Sequence, residues 1–437
     1  MTLAIEADWE QGDDASPEER STFAALGIRY SDIWLTQAED AFVKRLRDKV
    51  PLSAYRLAAW LAWNWWRLRW EPQRRSTDWA LAHRMTTIGG GYVWPNITIV
   101  SDGHRMVLLT KPTESSAAEP LRYVQNVAAV VRATEFESAV DLFVEQVRGK
   151  LQSDGIRDTG LDKCWKELTR ERSDAQLAKR RRFEATLGHD PDEGDASLID
   201  RLIDDSADLG EDAVVEIAAD RRLGVGLSAE HIRDVAARNG SAANPQSAVV
   251  LAPGTQLPPF GAVPAWRRGM EAAASVRTQQ RLGDAPLTNT QLSDFAGVAP
   301  AILSTRETHS ELSFVLVDSD VSSKIVLRPK WETGRRFDLA RSIGDRLAGG
   351  AASPTRFFPS TQSSTYRQQV QRAFAAHLLC PFQPLEQMLA GDYSQEAIED
   401  AARHYIVSPL VVRTLLVNHG RLEREDLEGD SEIDAAA

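Results

Sequence analysis

Gly334–Ala348 reads GRRFDLARSIGDRLA. Phe337, Ala340, Ile343, Gly344 and Leu347 recur three and four residues apart, the spacing of one buried stripe on a helix. Arg341, Ser342 and Asp345 fall beside that stripe. Arg341 and Asp345 are four residues apart and share a face, so they are expected to pair as ions. Arginine before aspartate is the weaker order, and an exposed pair of this kind contributes only about 0.3–0.5 kcal/mol. The other use of the same face is an anion pocket, in which Arg341 joins Arg335 or Arg336 against a carboxylate or phosphate.

The register of this helix matters because of the metal chemistry that helices of this shape carry. In an H-E-x-x-H helix two histidines four apart grip Zn²⁺, and the glutamate between them is the general base. Here the same register reads Arg341-Ser342-Ile343-Gly344-Asp345. A guanidinium has no lone pair to give a metal, and a serine hydroxyl is a poor base.

Three blocks set the register. GRRFDLARSIGDRL resembles the active-site helix of ImmA/IrrE-type metallopeptidases, whose pattern is roughly RRFTLAHELGHLL. AFAAHLLCP at Ala373–Pro381 is similar to that family's FAAELLMP segment. YSQEAIEDAARHYIVSPLVVRTLLVNHGRL at Tyr393–Leu422 resembles its ending, where a helix leads to F-x-V-S and a last helix precedes an N-x-G turn. The resemblance spans about Ala265–Leu422. It implies a zincin-like α/β C-terminal domain with helices around a small sheet. The family's third ligand, a glutamate, aligns with Val370, and a slip of one residue puts Gln369 or Gln371 there. All three ligands and the base are then replaced, so the resemblance implies a scaffold with a silent site: catalytic residues none, metal none, cofactor none. Members of the family cleave repressor partners in stress responses, mobile-element control and phage-related regulation. The function implied is a binding, sensing or regulatory protein with a protein partner, in a stress-response, toxin–antitoxin or phage-defence setting. An active zinc endopeptidase with a rebuilt site is the alternative. His309, His377, His404 and His419 all lie in this region; His377 and Cys380, three apart on one helical face, are the pair from which such a site would start, with Asp345 as third ligand.

The 264 residues before Ala265 carry no such resemblance. The chain has 437 residues, 51 basic and 63 acidic, for a net charge of −12. That balance excludes broad non-specific attraction to nucleic acid or anionic membrane, though not a local basic patch. Two cysteines, Cys164 and Cys380, make neither a disulfide framework nor a cysteine-based zinc site. The first residues, MTLAIEADWEQGDDASPEE, have no apolar core of a secretory signal, and the longest apolar run, near Tyr55–Trp66, is too short to cross a bilayer. A cytoplasmic location without membrane attachment is expected.

The fold class expected is multidomain α+β, with an α+β domain at 1–153, a charged helical region at 154–247, a Pro-rich linker at 248–264, the peptidase-like domain at 265–425 and a disordered acidic tail at 426–437. Within the first domain, Thr22–Trp34 suggests strands. Thr36–Lys49 reads as an amphipathic helix capped by Thr36, with Glu39 closing a capping box and Ala41, Phe42 and Leu46 inward. Leu52–Trp70 reads as one helix capped by Ser53. Seven of the chain's twelve tryptophans lie between Trp60 and Trp94. Trp60, Trp63, Trp66 and Trp70 are spaced for a buried face. The competing use is a stacking surface for a base, a sugar or a partner, built on Trp63, Trp66, Arg67 and Arg69 with Arg74 and Arg75 nearby. Gly89-Gly90-Gly91 is a hinge, with no G-K-[ST] to make it a phosphate loop. Tyr92–Leu109 reads as a hairpin turning at Asp102-Gly103 in a type I′ turn, and Glu135–Leu151 as an amphipathic helix. Further on, Lys179–Phe183 (KRRRF) is a basic run beside acidic His189–Asp195. Ser197–Leu209, Asp212–Leu223 and Ser228–Arg238 are short helices, the last two with a helix–turn–helix look around Gly224–Gly226. Nucleic-acid binding through these segments is a further alternative. Ser313–Val317 and Ser323–Leu327 alternate as strands beside the motif helix.

Overall fold

The computed structural model describes residues 2–13, 16–114, 120–220, 222–223, 226–305, 309–350 and 356–423. The expected tail at 426–437 and the middle of the Gly224–Gly226 turn lie outside them. The protein is a multidomain α+β protein whose strands form several small antiparallel sheets. It divides into two compact units, Met1–Ile203 and Asp204–Ala437, so the residues expected as a separate middle region are shared between them.

In the first unit Phe23–Tyr30 pairs with Leu3–Trp9, Ile33–Trp34 and Val50–Ser53. A second sheet joins Ala128–Arg132, Arg105–Thr110 and Ile97–Ser101. The 21-residue helix Ala133–Ser153 turns Phe136, Val140, Phe143, Val144, Val147 and Leu151 into the core, following the apolar period of its sequence. The hairpin forms as expected, but Gly103, at φ 91°, is the first of the two turn residues, where a type II′ turn takes glycine. Asp102 closes the turn by accepting from the backbone of His104 and Arg105.

Thr36–Lys49 is not a helix. Ala38–Asp40 pairs with Arg45–Arg47 on one side and with Leu121–Tyr123 on the other. Thr36 does not cap; its hydroxyl accepts from the Ile28 amide (3.0 Å) and donates to the Asp48 carbonyl (2.9 Å). Asp40 accepts from the Phe42 and Val43 amides, which holds its carboxyl below the usual range and turns the chain. Phe42 and Leu46, expected inside, are 86% and 60% exposed. The local helical period lost to sheet partners some eighty residues downstream, which no local window contains.

Leu52–Trp70 is two helices. Ser53 does cap the first, Ala54–Trp63, by accepting from the Arg56 amide. Asn64 interrupts it, donating from its side chain to the Trp60 carbonyl, and Trp65–Trp70 starts a second helix in a new phase. One expectation is reversed. Trp65 and Trp66 are buried with Trp60, whereas Trp63 is 65% exposed.

The second unit is built on a sheet ordered Ser241–Ala243, Ser322–Val326, Ser313–Ser319, Phe357–Ser360. The motif helix runs Glu332–Ala348 and packs against Tyr366–Leu379, which in turn packs against Ala265–Gln279. Two glycines permit these crossings. A Cβ on Gly344 would meet the Phe374 ring at 2.6 Å, and one on Gly269 would meet the Val370 carbonyl oxygen at 2.5 Å. Residues 248–264 are not a free spacer. Val249 is buried, Arg346 donates to its carbonyl (2.8 Å), Tyr366 donates to the Val263 carbonyl (2.7 Å), and Phe260 packs edge-on against Tyr366. Proline there fixes loop conformation on the surface of the core rather than spacing two domains apart.

Candidate functional site

The motif helix is largely enclosed. Arg335, Arg336, Asp338, Arg341, Ser342 and Asp345 are all buried along with Ala340, Ile343 and Gly344 of its apolar stripe, and Phe337 and Leu347 are half-buried. Buried charges need partners, and the partners define the site. Arg341 does not pair with Asp345. Its Nη2 donates to the Thr361 carbonyl (2.6 Å), Gln368 Oε1 (2.6 Å) and Gln371 Oε1 (3.3 Å), and its Nη1 lies 3.5 Å from Asp338. Asp345 instead takes a two-pronged ion pair from Arg367, 2.7 and 2.8 Å. The pairing switches because helix spacing only places Arg341 and Asp345 on one face, whereas the facing helix offers a planar fork to the carboxylate. Ser342 bonds its own helix, donating to the Asp338 carbonyl (3.0 Å). Val370 lies fully buried in the apolar core. The residues that meet the motif from the facing helix are Arg367, Gln368 and Gln371.

A second carboxylate enters from an unexpected place. In Glu211–Ala219 every residue from Ala213 to Ala219 is buried, and Glu216 accepts from Thr365 Oγ1 (2.6 Å) and Ser363 Oγ (3.3 Å). Complete burial pushes its carboxyl above the usual range, against the pull of Arg367. Asp220 follows, accepting from the Gln362 amide (2.8 Å). The signal in the sequence was a lone acid inside the apolar run AVVEIAA; nothing local says what it would face.

This constellation does not fit zinc. At the motif positions stand a guanidinium and a carboxylate whose two oxygens are both committed to Arg367, and the facing amides are poor ligands. Among the described residues no group of three or more His, Cys, Asp and Glu is placed to hold a metal ion. The pair His377 and Cys380 does not start one. His377 is buried beside His419, which stacks on Phe382 at 3.6 Å between ring centres. Burial pushes the Cys380 thiol up to about 12, away from the thiolate a metal would need.

Burial, with His419 adding to it, pulls His377 down to about 4 from 6.5. A histidine whose folded value is depressed stabilises the fold above its unfolded value and loses that contribution as pH falls. Between pH 6.5 and 4 the wild type is therefore expected to lose about 2–3 kcal/mol that a His377→Gln variant keeps. Urea unfolding of both proteins across that window checks this; parallel curves would contradict it.

Arg335 and Arg336, the other arginines of the motif, are occupied elsewhere. Arg335 donates to the carbonyls of Ile302, Leu327 and Pro329, and Arg336 to those of Leu287 and Ile406 and to Asn289. They tie the helix to its surrounding loops and do not join Arg341.

The tryptophan and arginine cluster of the first unit is mostly interior. Trp66 donates to Glu171 (2.8 Å). Arg67 is paired with Glu71 and Asp78 (2.8 Å each), and Arg69 donates to Glu137 (2.5 Å) while lying over Trp70. Of Trp63, Trp66, Arg67 and Arg69, only Trp63 offers a surface. The basic run is spent likewise: Arg181 is held by Glu171, Glu184 and Asp192, and Arg180 by Glu184 and Asp200. In the second unit Arg233 and Arg238, on Ala229–Asn239, are paired with Asp208 and Asp234. A nucleic-acid surface needs unpaired cations facing outward, and these are engaged.

Beside the motif helix lies an open cleft of about 770 Å³. Arg341, Asp338, Leu312, Pro329, Phe337, Arg328 and Arg372 are among the residues that line it, Arg328 exposed and Arg341 and Asp338 buried. The fold and site together define a multidomain α+β protein with a buried arginine–carboxylate–amide network opening on a cleft. Searches of protein-family models, of curated proteins and of solved structures returned no match to this chain. No described helix is long and apolar enough to cross a membrane.

Proposed function

We propose that the second unit is a catalytically silent member of the ImmA/IrrE-type lineage, zincin-like in fold, that acts by binding a partner as a sensing or regulatory protein. The observation that carries this reading is the network at the motif. Arg341, Ser342 and Asp345 each have an internal partner, Val370 is buried in the apolar core, and the helix bearing AFAAHLLCP faces the helix bearing the motif. The motif positions Arg341 and Ser342 supply neither a metal ligand nor a general base, while the walls of the cleft suit recognition. A stress-response, toxin–antitoxin or phage-defence role is the setting that the resemblance suggests.

Two measurements test it. Purified protein equilibrated with Zn²⁺ and dialysed is expected to keep no stoichiometric zinc; a tightly held equivalent lost on His377→Ala would overturn the reading in favour of an active peptidase. Conversely, Arg341→His, Ser342→Glu, Asp345→His and Gln371→Glu, combined with Arg367→Met to remove the cation, should create a zinc site. Arg341 and Gln371 already meet at 3.3 Å. The same set with Val370→Glu in place of Gln371→Glu should not bind zinc. A folded first variant that takes up no zinc would count against descent from a metal-holding scaffold.

A further inference from the structure

We propose that the cleft beside the motif helix is a binding site for an organic phosphate, a phosphate monoester carrying an apolar or aromatic body, gripped by Arg341, Arg372 and Arg328. This rests on the cleft's own geometry and not on the lineage argued above.

The cations come from separate elements and converge on one space. Arg341 rises from the middle of the motif helix, Arg372 from the facing helix, and Arg328 from the loop after Ser322–Val326. Arg341 is 6% exposed, and its Nε–H is buried without an acceptor. Arg372 has, among the described residues, one acceptor, the Ser363 carbonyl at 3.0 Å, and no carboxylate. Burial and the neighbouring Arg341 charge push its guanidinium down to about 9, against the pull of Glu216. Arginine gives up its proton with great reluctance, so an anion relieves this crowding more readily than deprotonation does. Arg328 is exposed, and among the described residues its side chain meets no carboxylate.

The acids around the cleft are accounted for. Asp338 accepts from Ser313 Oγ (2.6 Å) and lies near Arg341; Asp220 accepts from the Gln362 amide and sits 3.9 Å from Arg222, another cation lining the cleft. Glu311 stands at the edge, exposed. Four arginines against three carboxylates, two of the latter already engaged, leave a positive cleft in a chain that is negative as a whole. A phosphate monoester carries nearly two negative charges and three acceptor oxygens, which suits several guanidinium forks better than a carboxylate with one charge and two oxygens. About 770 Å³ is room for a ligand larger than the inorganic ion. Leu312, Pro329 and Phe337 give its body an apolar wall.

The test is calorimetric titration of the full chain at constant ionic strength with phenyl phosphate, inorganic phosphate and benzoate. Phenyl phosphate is expected to saturate one site and to bind at least about tenfold tighter than either of the others. Arg372→Gln and Arg328→Gln are each expected to weaken it about tenfold, and Arg403→Gln, outside the cleft, to leave it unchanged. Arg328 is exposed, so its variant should fold even where Arg372→Gln does not. No saturable binding, or binding that Arg328→Gln leaves intact, overturns the proposal. Benzoate binding as tightly as phenyl phosphate overturns the phosphate class. The zinc measurements are independent of these titrations, so either proposal can fail alone.

Discussion

Arg367→Leu is expected to lower the unfolding free energy by about 3–5 kcal/mol, because it leaves the Asp345 carboxylate buried with no counter-charge. Asp345 and Arg367 have side chains 1% and 5% exposed, and the pair is closed by two short bonds. The desolvation of the carboxylate is then uncompensated, and water cannot reach it. The diagnostic comparison is the double variant Arg367→Met with Asp345→Leu. Removing both charges from a buried pair and filling the space with apolar atoms is often neutral, so the double variant should recover most of the loss and lie within about 1 kcal/mol of wild type. Urea unfolding of the three proteins gives the answer. A double variant weaker than Arg367→Leu would mean that the pair is a net source of stability and not a self-cancelling one.

Gly269→Ala is expected to cost about 2–3 kcal/mol, a large effect for one methyl group. The added Cβ would lie 2.5 Å from the Val370 carbonyl oxygen and 2.7 Å from the Phe374 amide nitrogen. Both are backbone atoms of the facing helix, so neither can rotate aside; the helices must separate and loosen the core around Phe374, Ala272 and Ala273. Gly344→Ala meets side-chain atoms of Phe374 instead, Cδ1, Cγ and Cβ at 2.6–2.8 Å; the ring can turn, though its Cβ cannot, and so this change should cost less than one against two backbone atoms. Thermal unfolding of the two variants ranks them, and the opposite order would show that the Phe374 ring is held more rigidly than the backbone behind it.

The ranking of these two glycines illustrates what a sequence hides. Each stands in a helical run with apolar neighbours, and nothing local distinguishes the one that touches backbone. Trp63 is a similar case. Helical spacing from Trp60 puts it inside, yet the buried face of Ala54–Trp63 centres on Leu57, Ala58 and Leu61 and leaves Trp63 out, while the interruption at Asn64 brings Trp65 in. Thr36–Lys49 has the cap, the box and the period of a helix, yet its hydrogen bonds go to Leu121–Tyr123 and Ile28. Local propensity is worth tenths of a kcal/mol per residue, and strand partners far along the chain outweigh it.

The sequence by itself determined the mixed α+β character, the helices at Ala133–Ser153 and Glu332–Ala348, the cap at Ser53, the hairpin of Ile97–Ser101 with Arg105–Thr110, and the guanidinium at Arg341 that cannot ligate a metal. These follow from periodicity and from the chemistry of a guanidinium, which are properties of the residues themselves. Only the tertiary structure decided whom those residues face: Arg367 for Asp345, Gln368 and Gln371 for Arg341, Glu216 at Thr365, and Arg372 at the cleft. The reason is that a buried charge takes its partner from whichever element packs across from it, and that packing is set by the whole core at once.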